Sequence, residues 1–412
     1  MINNSNVITL GCRLNFWESN KINSFISKDK KNQIVIFNTC SVTNEAVKNA
    51  KKAIKNFHKL NPEVKIILTG CAVETDYDLF NSMDEVSFIV RNKDKLSSEE
   101  WQNIQSKITG FSNKKLIFKN MYKENPSNSN IRKFVKIQSG CDHSCTFCII
   151  PKCRGKSQSE NIDKVNNEIS KNIALGVKEI ILTGVDITSW KDDANNKFFL
   201  GDLIEGILNS NTKYFRLRLS SIDAAELDHK LIELIEKDSR LMPHFHFSLQ
   251  SLDDLILKRM KRRHDVNQVV SLFKRIKSLR ASVTFGADFI CGFPTETEEM
   301  FMNTLKLVKK LNITHLHVFP FSPKSGTPAS RMPQTNLLVS RKRAKALREV
   351  GRINYLEFLK SQLKKEHQIL IENDQGLGKT ENNLKVIVKN AKKGMLVKLM
   401  PKKIYKDYLI VD

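Results

Sequence analysis

The chain has 412 residues, 40% apolar and 27% charged, with 68 Lys and Arg against 44 Asp and Glu for a formal charge of +24. Such a composition excludes a disordered chain, and eight cysteines are too few for a disulfide scaffold of this size. No run reaches the roughly 18 to 20 apolar residues of a membrane helix, and "MINNSNVITLGC" lacks the build of a signal peptide, so a cytoplasmic protein with no membrane partner is expected. The basic excess points either to a polyanionic partner or to a solvated basic surface, and charge alone does not choose between them.

Over residues 1–105 short apolar runs alternate with helical patterns. "VITL" leads to Gly11 and Cys12, "QIVIFN" to Thr39 and Cys40, and "VKIILTG" to Cys71, while "NEAVKNAKKAIKNFHKL" reads as an amphipathic helix. The alternation predicts a parallel α/β sheet. Each cysteine then falls just past a strand end, where ligands gather in open α/β sheets. The rhythm is lost over residues 106–131, and "YKENPSNSNIR" reads as a linker.

Across residues 132–365 the alternation returns on a larger scale. Strand candidates are "FVKIQ", "EIILTG", "FRLRLS", "HFHFSL", "VTFGADFI" and "HLHVFPF", with helices such as "VNQVVSLFKRIKSLR" and "TEEMFMNTLKLVKKL" between the later ones. Six β/α units predict a partial (β/α)6 barrel with its reactive residues at the C-terminal strand ends. "PKSGTPASRMP" is a turn-rich bridge, and residues 336–366 form a long basic helical segment. Residues 366–412 show short β runs broken by Gly, Asn and Lys, as in a small antiparallel β-barrel.

The densest chemistry lies in "GCDHSCTFCIIPKCRG". Cys141, Cys145 and Cys148 form C-x3-C-x2-C within one loop after the first barrel strand, and Cys153 follows beyond "IIPK". Thiolates favour zinc and iron-sulfur centres, and closed zinc sites use paired cysteine knuckles separated by a longer loop. A cubane cluster normally takes four thiolates, so three leave one iron open to a ligand.

The run "CDHSCTFC", with Phe147 before the third cysteine, resembles the signature of radical S-adenosylmethionine (SAM) enzymes. That resemblance implies a 4Fe-4S cluster on Cys141, Cys145 and Cys148 whose open iron chelates SAM and cleaves it to a 5′-deoxyadenosyl radical; Cys153 is then a spectator. The contexts "LGCRLNFWES", "FNTCSVTNEAV" and "LTGCAVE" resemble the N-terminal domain of the methylthiotransferase family, which implies a second 4Fe-4S cluster on Cys12, Cys40 and Cys71. Stretches including "LTGVDITSW", "RLRLSSID" and "HVFPFSPKSGTPASRMPQ" are most similar to the branch acting on threonylcarbamoyladenosine in tRNA. The family's scheme uses one SAM to methylate a sulfur on the auxiliary cluster and another to make the radical, installing a methylthio group at C2 of adenosine 37.

Carried onto this sequence, the resemblance implies SAM contacts at Phe147, Gly184, Asp186, Ser220, Ser221 and Gly292, with Asp186 an acceptor for the SAM ammonium. No side-chain acid or base is expected to be catalytic, because the cofactors carry the hard step. Arg259, Arg262 and Arg263 in "KRMKRRH" suit tRNA phosphates, or form a solvated helix face. Lys392, Lys393, Lys402 and Lys403 with Tyr405 and Tyr408 suit single-stranded RNA, or protect sheet edges. Expected partners are the tRNA anticodon stem-loop, an electron donor such as flavodoxin or ferredoxin, and a sulfur source. Two alternatives stay open: the family's branches acting on isopentenyladenosine or a ribosomal-protein aspartate, and a non-catalytic iron-sulfur RNA-binding redox sensor.

Overall fold

The computed structural model describes residues 6–27, 33–108, 116–117, 131–192 and 197–412. Most of the linker expected at residues 106–131 lies outside the described residues. At the N-terminal end, the strands Val7–Thr9, Ile34–Thr39, Lys65–Gly70 and Phe88–Ile89 form a parallel sheet in chain order. Every position of Ile34–Thr39 is buried, as a central strand with both faces covered requires. Helix Asn44–Leu60 covers one face with Val47, Ala50, Ile54 and Phe57, spaced to line one side of a helix. Ile22, Trp101 and Ile104 from the helices Arg13–Phe25 and Ser98–Ser106 cover the other.

All six barrel strands form where the apolar periodicity places them. Arg132–Lys136, Glu179–Thr183 and Arg216–Leu219 make one parallel sheet, and His244–Gln250, Thr284–Cys291 and His315–Pro320 make another. Single bridges, Leu217 to Leu241 and Ile222 to Phe247, join the two halves. Alternate residues such as Phe245, Phe247, Ala287 and Phe289 point out into a continuous apolar core with the helices, which leaves polar side chains for the lumen.

An incomplete barrel leaves its first and sixth strands as open edges. The N-terminal unit fills that gap. Phe16 stacks on Phe134 of the first strand with centroids 6.5 Å apart, Trp17 lies under the Lys136 ammonium, and its Nε1 donates to Glu168. On the far side, the Asn44 backbone N–H donates to Ser322 Oγ at 2.9 Å and its side-chain amide to the Pro323 carbonyl at 3.0 Å. Between these contacts sits a buried ion network. Glu18 receives Lys95 Nζ at 2.6 Å and Arg154 Nη1 at 2.7 Å, and Arg154 Nη2 also donates to Asn15 Oδ1 at 2.7 Å.

The C-terminal sheet is mostly antiparallel, as expected, with one parallel pairing. Its order places Leu396–Leu399, His367–Ile371, Leu377–Thr380, Lys385–Val388, Tyr408–Val411 and Lys403–Tyr405 side by side. The pairing of Lys385–Val388 with Tyr408–Val411 is parallel, and no ladder joins the two edge strands among the described residues. The reason is connectivity: after Val388 the chain crosses to pair antiparallel with His367–Ile371, and only the last strand returns beside Lys385–Val388. This sheet docks on the floor of the barrel. Arg216 and Arg218 donate to the Thr380 carbonyl at 2.6 and 2.9 Å, and Thr284 Oγ1 donates to the Asn382 carbonyl at 2.7 Å. No helix among the described residues is long and apolar enough to cross a membrane.

Burial alone would raise the Glu18 pKa, but Lys95 and Arg154 outweigh it and hold the carboxyl at about 2. Its contribution is therefore complete above about pH 4.5 and is lost as pH falls through about 2. Glu18→Gln leaves two buried cations without their anion, a cost of about 3 to 5 kcal/mol. Urea denaturation of the metal-free protein should show that loss at neutral pH, together with a flatter acid limb below about pH 4.5; equal midpoints for variant and parent would refute it.

Candidate functional site

The first thiol trio is built by adjacent parallel strand ends. Cys12 caps helix Arg13–Phe25, Cys40 follows Ile34–Thr39 directly, and Cys71 follows Lys65–Gly70 and opens the short helix Cys71–Thr75. Gly70 has φ +99°, and a Cβ there would stand 2.3 Å from the Thr39 carbonyl oxygen. Only glycine lets the third strand end press against the second where Cys40 begins. The Gly11 backbone also lies close to Cys40, where an added Cβ would stand 3.1 Å from the Cys40 Cβ. Burial raises the Cys12 and Cys40 thiols, Cys40 to about 11, and neighbouring Cys71 adds to both shifts. Loading a metal must therefore displace a proton from each.

The second trio occupies the loop after the first barrel strand. Thr146 anchors it: its N–H donates to the Met260 carbonyl, its hydroxyl to the Arg259 carbonyl, and its own carbonyl accepts from Ala329. Phe147 packs against an apolar cluster of Ile256, Met260, Phe293 and Phe321, so it fixes the loop from beneath. Burial raises Cys141 to about 12 and Cys148 to about 11, and neighbouring Cys145 adds to both shifts.

Cys153 does not join this trio. Its side chain is buried against Cys71 and Ile149, with its sulfur 3.5 Å from Ser41 Oγ. A hydrogen bond from Cys153 holds the Cys71 thiol below the ordinary thiol range. The spectator expected from sequence is thus a packing partner of the other trio, delivered across the unit boundary by helix Ile150–Arg154. Neighbouring Arg154 lowers the pKa of Cys12 electrostatically. Arg262 does the matching work at the second trio.

Arg262 corrects an expectation. Its guanidinium is buried and donates to Cys145 Sγ at 3.4 Å, Asp223 Oδ2 at 2.8 Å and the Ser248 carbonyl at 2.8 Å, so it is turned away from any RNA. Arg263 pairs with Glu226 and Asp223 at the rim, and half-buried Arg259 donates to Thr295. In the C-terminal sheet Lys392, Lys393, Lys402 and Lys403 are all exposed, as is Tyr405, and Lys403 also pairs with Asp412.

The expected SAM contacts divide. Ser220 Oγ is buried without a hydrogen-bond partner, and half-buried Ser221 follows it at the same strand end. Gly184 precedes Val185 and Asp186, whose backbone N–H groups both donate to Gln138 Oε1. Asp186 is already engaged: Oδ2 lies 2.6 Å from His143 Nε2, and Oδ1 accepts from Thr188. That bond to Asp186 raises the His143 pKa. Gly292 is corrected as well, because its N–H donates to Glu296, its backbone lies against Ser340 of helix Leu337–Ser361, and Arg343 holds Glu296 in place. It is a turn built for packing. Sequence reasoning missed His143, Arg154 and Glu18; the available signal was their closeness to cysteines, His143 inside "CDHSC" and Arg154 directly after Cys153.

The donor set fits two cubane clusters. Each trio supplies three free thiols and no fourth within its own loop set, and each has a buried arginine to offset anionic charge. Ser220 leaves an unpartnered hydroxyl for a further ligand beside the second trio's barrel rim. A partial parallel barrel carrying C-x3-C-x2-C after its first strand defines a radical SAM enzyme. The family model described as the Radical SAM superfamily matches residues 135–308, and that of Uncharacterized protein family UPF0004 matches residues 4–91. The threonylcarbamoyladenosine tRNA methylthiotransferase MtaB of Rickettsia prowazekii is 41% identical over 92% of this chain and 90% of its own. The tRNA-2-methylthio-N(6)-dimethylallyladenosine synthase of Endomicrobium trichonymphae is 30% identical over 93% of each. Among solved structures, the radical SAM methyltransferase TsrM of Kitasatospora setae, with cobalamin and a 4Fe-4S cluster bound, shares the fold at a TM-score of 0.50 and 12% identity, over 76% of this chain and 68% of that one. The chain belongs to the radical SAM methylthiotransferase family, MtaB type, whose cofactors are SAM and 4Fe-4S clusters.

Anaerobically reconstituted protein should carry about eight irons. Cys145→Ala should retain about half, whereas Cys153→Ala should keep the full count, since both trios stay intact. Iron and sulfide analysis checks this, and a Cys153 variant with about four irons would show that a fourth thiol is required.

Proposed function

We propose that this chain transfers a methylthio group to C2 of N6-threonylcarbamoyladenosine at position 37 of tRNA. The observation that carries the proposal is the first thiol trio: Cys12, Cys40 and Cys71 accompany Cys141, Cys145 and Cys148, with Cys153 packed against Cys71 and Arg154 bonded to Asn15 beside Cys12. When bound, SAM and the two 4Fe-4S clusters supply the radical and the sulfur. Cys141, Cys145 and Cys148 hold one cluster, and Cys12, Cys40 and Cys71 hold the other. Ser220 and Ser221 meet the SAM ribose, while the His143–Asp186 pair fixes the cysteine loop against the next strand end.

The protein's own part is placement and exclusion of water. The N-terminal unit, residues 1–105, lids the gap in the barrel of residues 132–365, and the sheet of residues 366–412 offers Lys392, Lys393, Lys402 and Lys403 to the anticodon stem-loop. An electron donor such as flavodoxin or ferredoxin and an external sulfur source complete the cycle. The relative named for threonylcarbamoyladenosine is 41% identical and the one named for dimethylallyladenosine 30%, which favours the former substrate. Expression in a host lacking this modification, followed by mass spectrometry of tRNA nucleosides, should yield the 2-methylthio form of threonylcarbamoyladenosine. If only the dimethylallyl nucleoside gains sulfur, the substrate assignment fails.

A further inference from the structure

The floor and wall of the barrel lumen carry charges that are almost fully matched. Glu179 is ion-paired by Arg132, Arg216 and Arg218 at 2.5 to 3.0 Å, and Arg132 also reaches Glu372. Asp288 Oδ1 lies 3.0 Å from His246 Nε2 and 3.1 Å from His317 Nδ1. Arg13 differs. It follows Cys12 directly and has no hydrogen-bond or ion-pair partner among the described residues.

Its direction follows from the helix. Phe16 and Trp17, three and four residues on, lie against the first barrel strand, so Arg13 shares their face and points to the barrel. The residue stays open to solvent on the barrel side of Cys12. A guanidinium so placed lies beside Cys12 with no anion of its own among the described residues. An entering carboxylate or phosphate finds there a charged donor pair that no protein group has taken.

Resting on the substrate reading above, we infer that Arg13 is a specificity-determining residue that binds the threonyl carboxylate on the N6 group of the target adenosine. Adenine places C2 and the N6 substituent on the same edge, separated by N1. A side chain next to Cys12 can therefore grip the N6 group while C2 faces the auxiliary trio. A guanidinium forms two parallel hydrogen bonds to a carboxylate. An apolar N6 group offers none, and by covering the guanidinium it would strip off water without replacing it. Selection then comes from attraction to one substrate and penalty against the other.

The test uses the reconstituted holoenzyme and three anticodon stem-loop RNAs, carrying threonylcarbamoyladenosine, the same nucleoside with its carboxylate as the methyl ester, or the dimethylallyl nucleoside. Binding by fluorescence anisotropy should favour the free carboxylate over the ester by about ten- to a hundredfold in the parent enzyme. Arg13→Gln should bring that ratio near one with iron content retained, and Arg13→Lys should keep part of it. A merely structural role would weaken all three RNAs alike. If the parent methylthiolates the free-carboxylate RNA but Arg13→Gln keeps the full ratio, the Arg13 assignment is overturned while the proposed function stands. Should the parent fail to methylthiolate that RNA at all, the substrate reading falls and the Arg13 assignment with it.

Discussion

Glu18 is the pivot on which the arrangement of the two thiol trios depends. It is a buried carboxylate from the N-terminal unit, gripped by Lys95 of its own unit and by Arg154 of the barrel's cysteine loop. Desolvating three charges costs several kcal/mol per ion, and their mutual attraction offsets this only when the geometry is kept. The network therefore specifies position more than it adds stability. Asn15 and Glu18 lie one turn apart on the helix that Cys12 caps, and Arg154 adjoins Cys153 on the helix that follows Cys148. Moving one trio against the other would break the ion network first.

The same logic explains why an incomplete barrel is stable here. A gap between edge strands would expose unpaired backbone and a polar lumen. Aromatic stacking by Phe16 on one edge and Asn44 hydrogen bonds beyond the other let the N-terminal unit stand in for the absent β/α units. What covers the opening is thus itself the unit that carries the first thiol trio. Each trio is accompanied by one buried arginine drawn from elsewhere in the chain, Arg154 for the first and Arg262 for the second. Cation and thiolates are held together by tertiary contacts, so neither arrangement is local in sequence.

That distinction decides what could be read beforehand. Nine of the ten strands of the two parallel units and the six cysteines at loop positions follow from local periodicity, because a strand buried on both faces imposes its apolar run on the sequence; the two-residue edge strand Phe88–Ile89 is too short to leave such a run. Long-range outcomes did not show. "KRMKRRH" looks like a uniform basic surface, yet Arg262 turns inward because Asp223 and the Ser248 carbonyl lie beneath it. Asp186 looks like a free acceptor until His143 folds back onto it. Gly292 resembles a ligand turn, but helix Leu337–Ser361, which closes over it, begins 45 residues later. The parallel pair in the C-terminal sheet depends on which strand crosses over, and strand composition carries no such information.

Consider finally the turn that follows Leu377–Thr380 in the C-terminal sheet. The Thr380 and Asn382 carbonyls take hydrogen bonds there from Arg216, Arg218 and Thr284 of the barrel strands. Such a junction is a mortise joint and leaves that sheet no hinge. The exposed side chains of Lys392, Lys393, Lys402 and Lys403 are thereby carried at a constant span from the barrel.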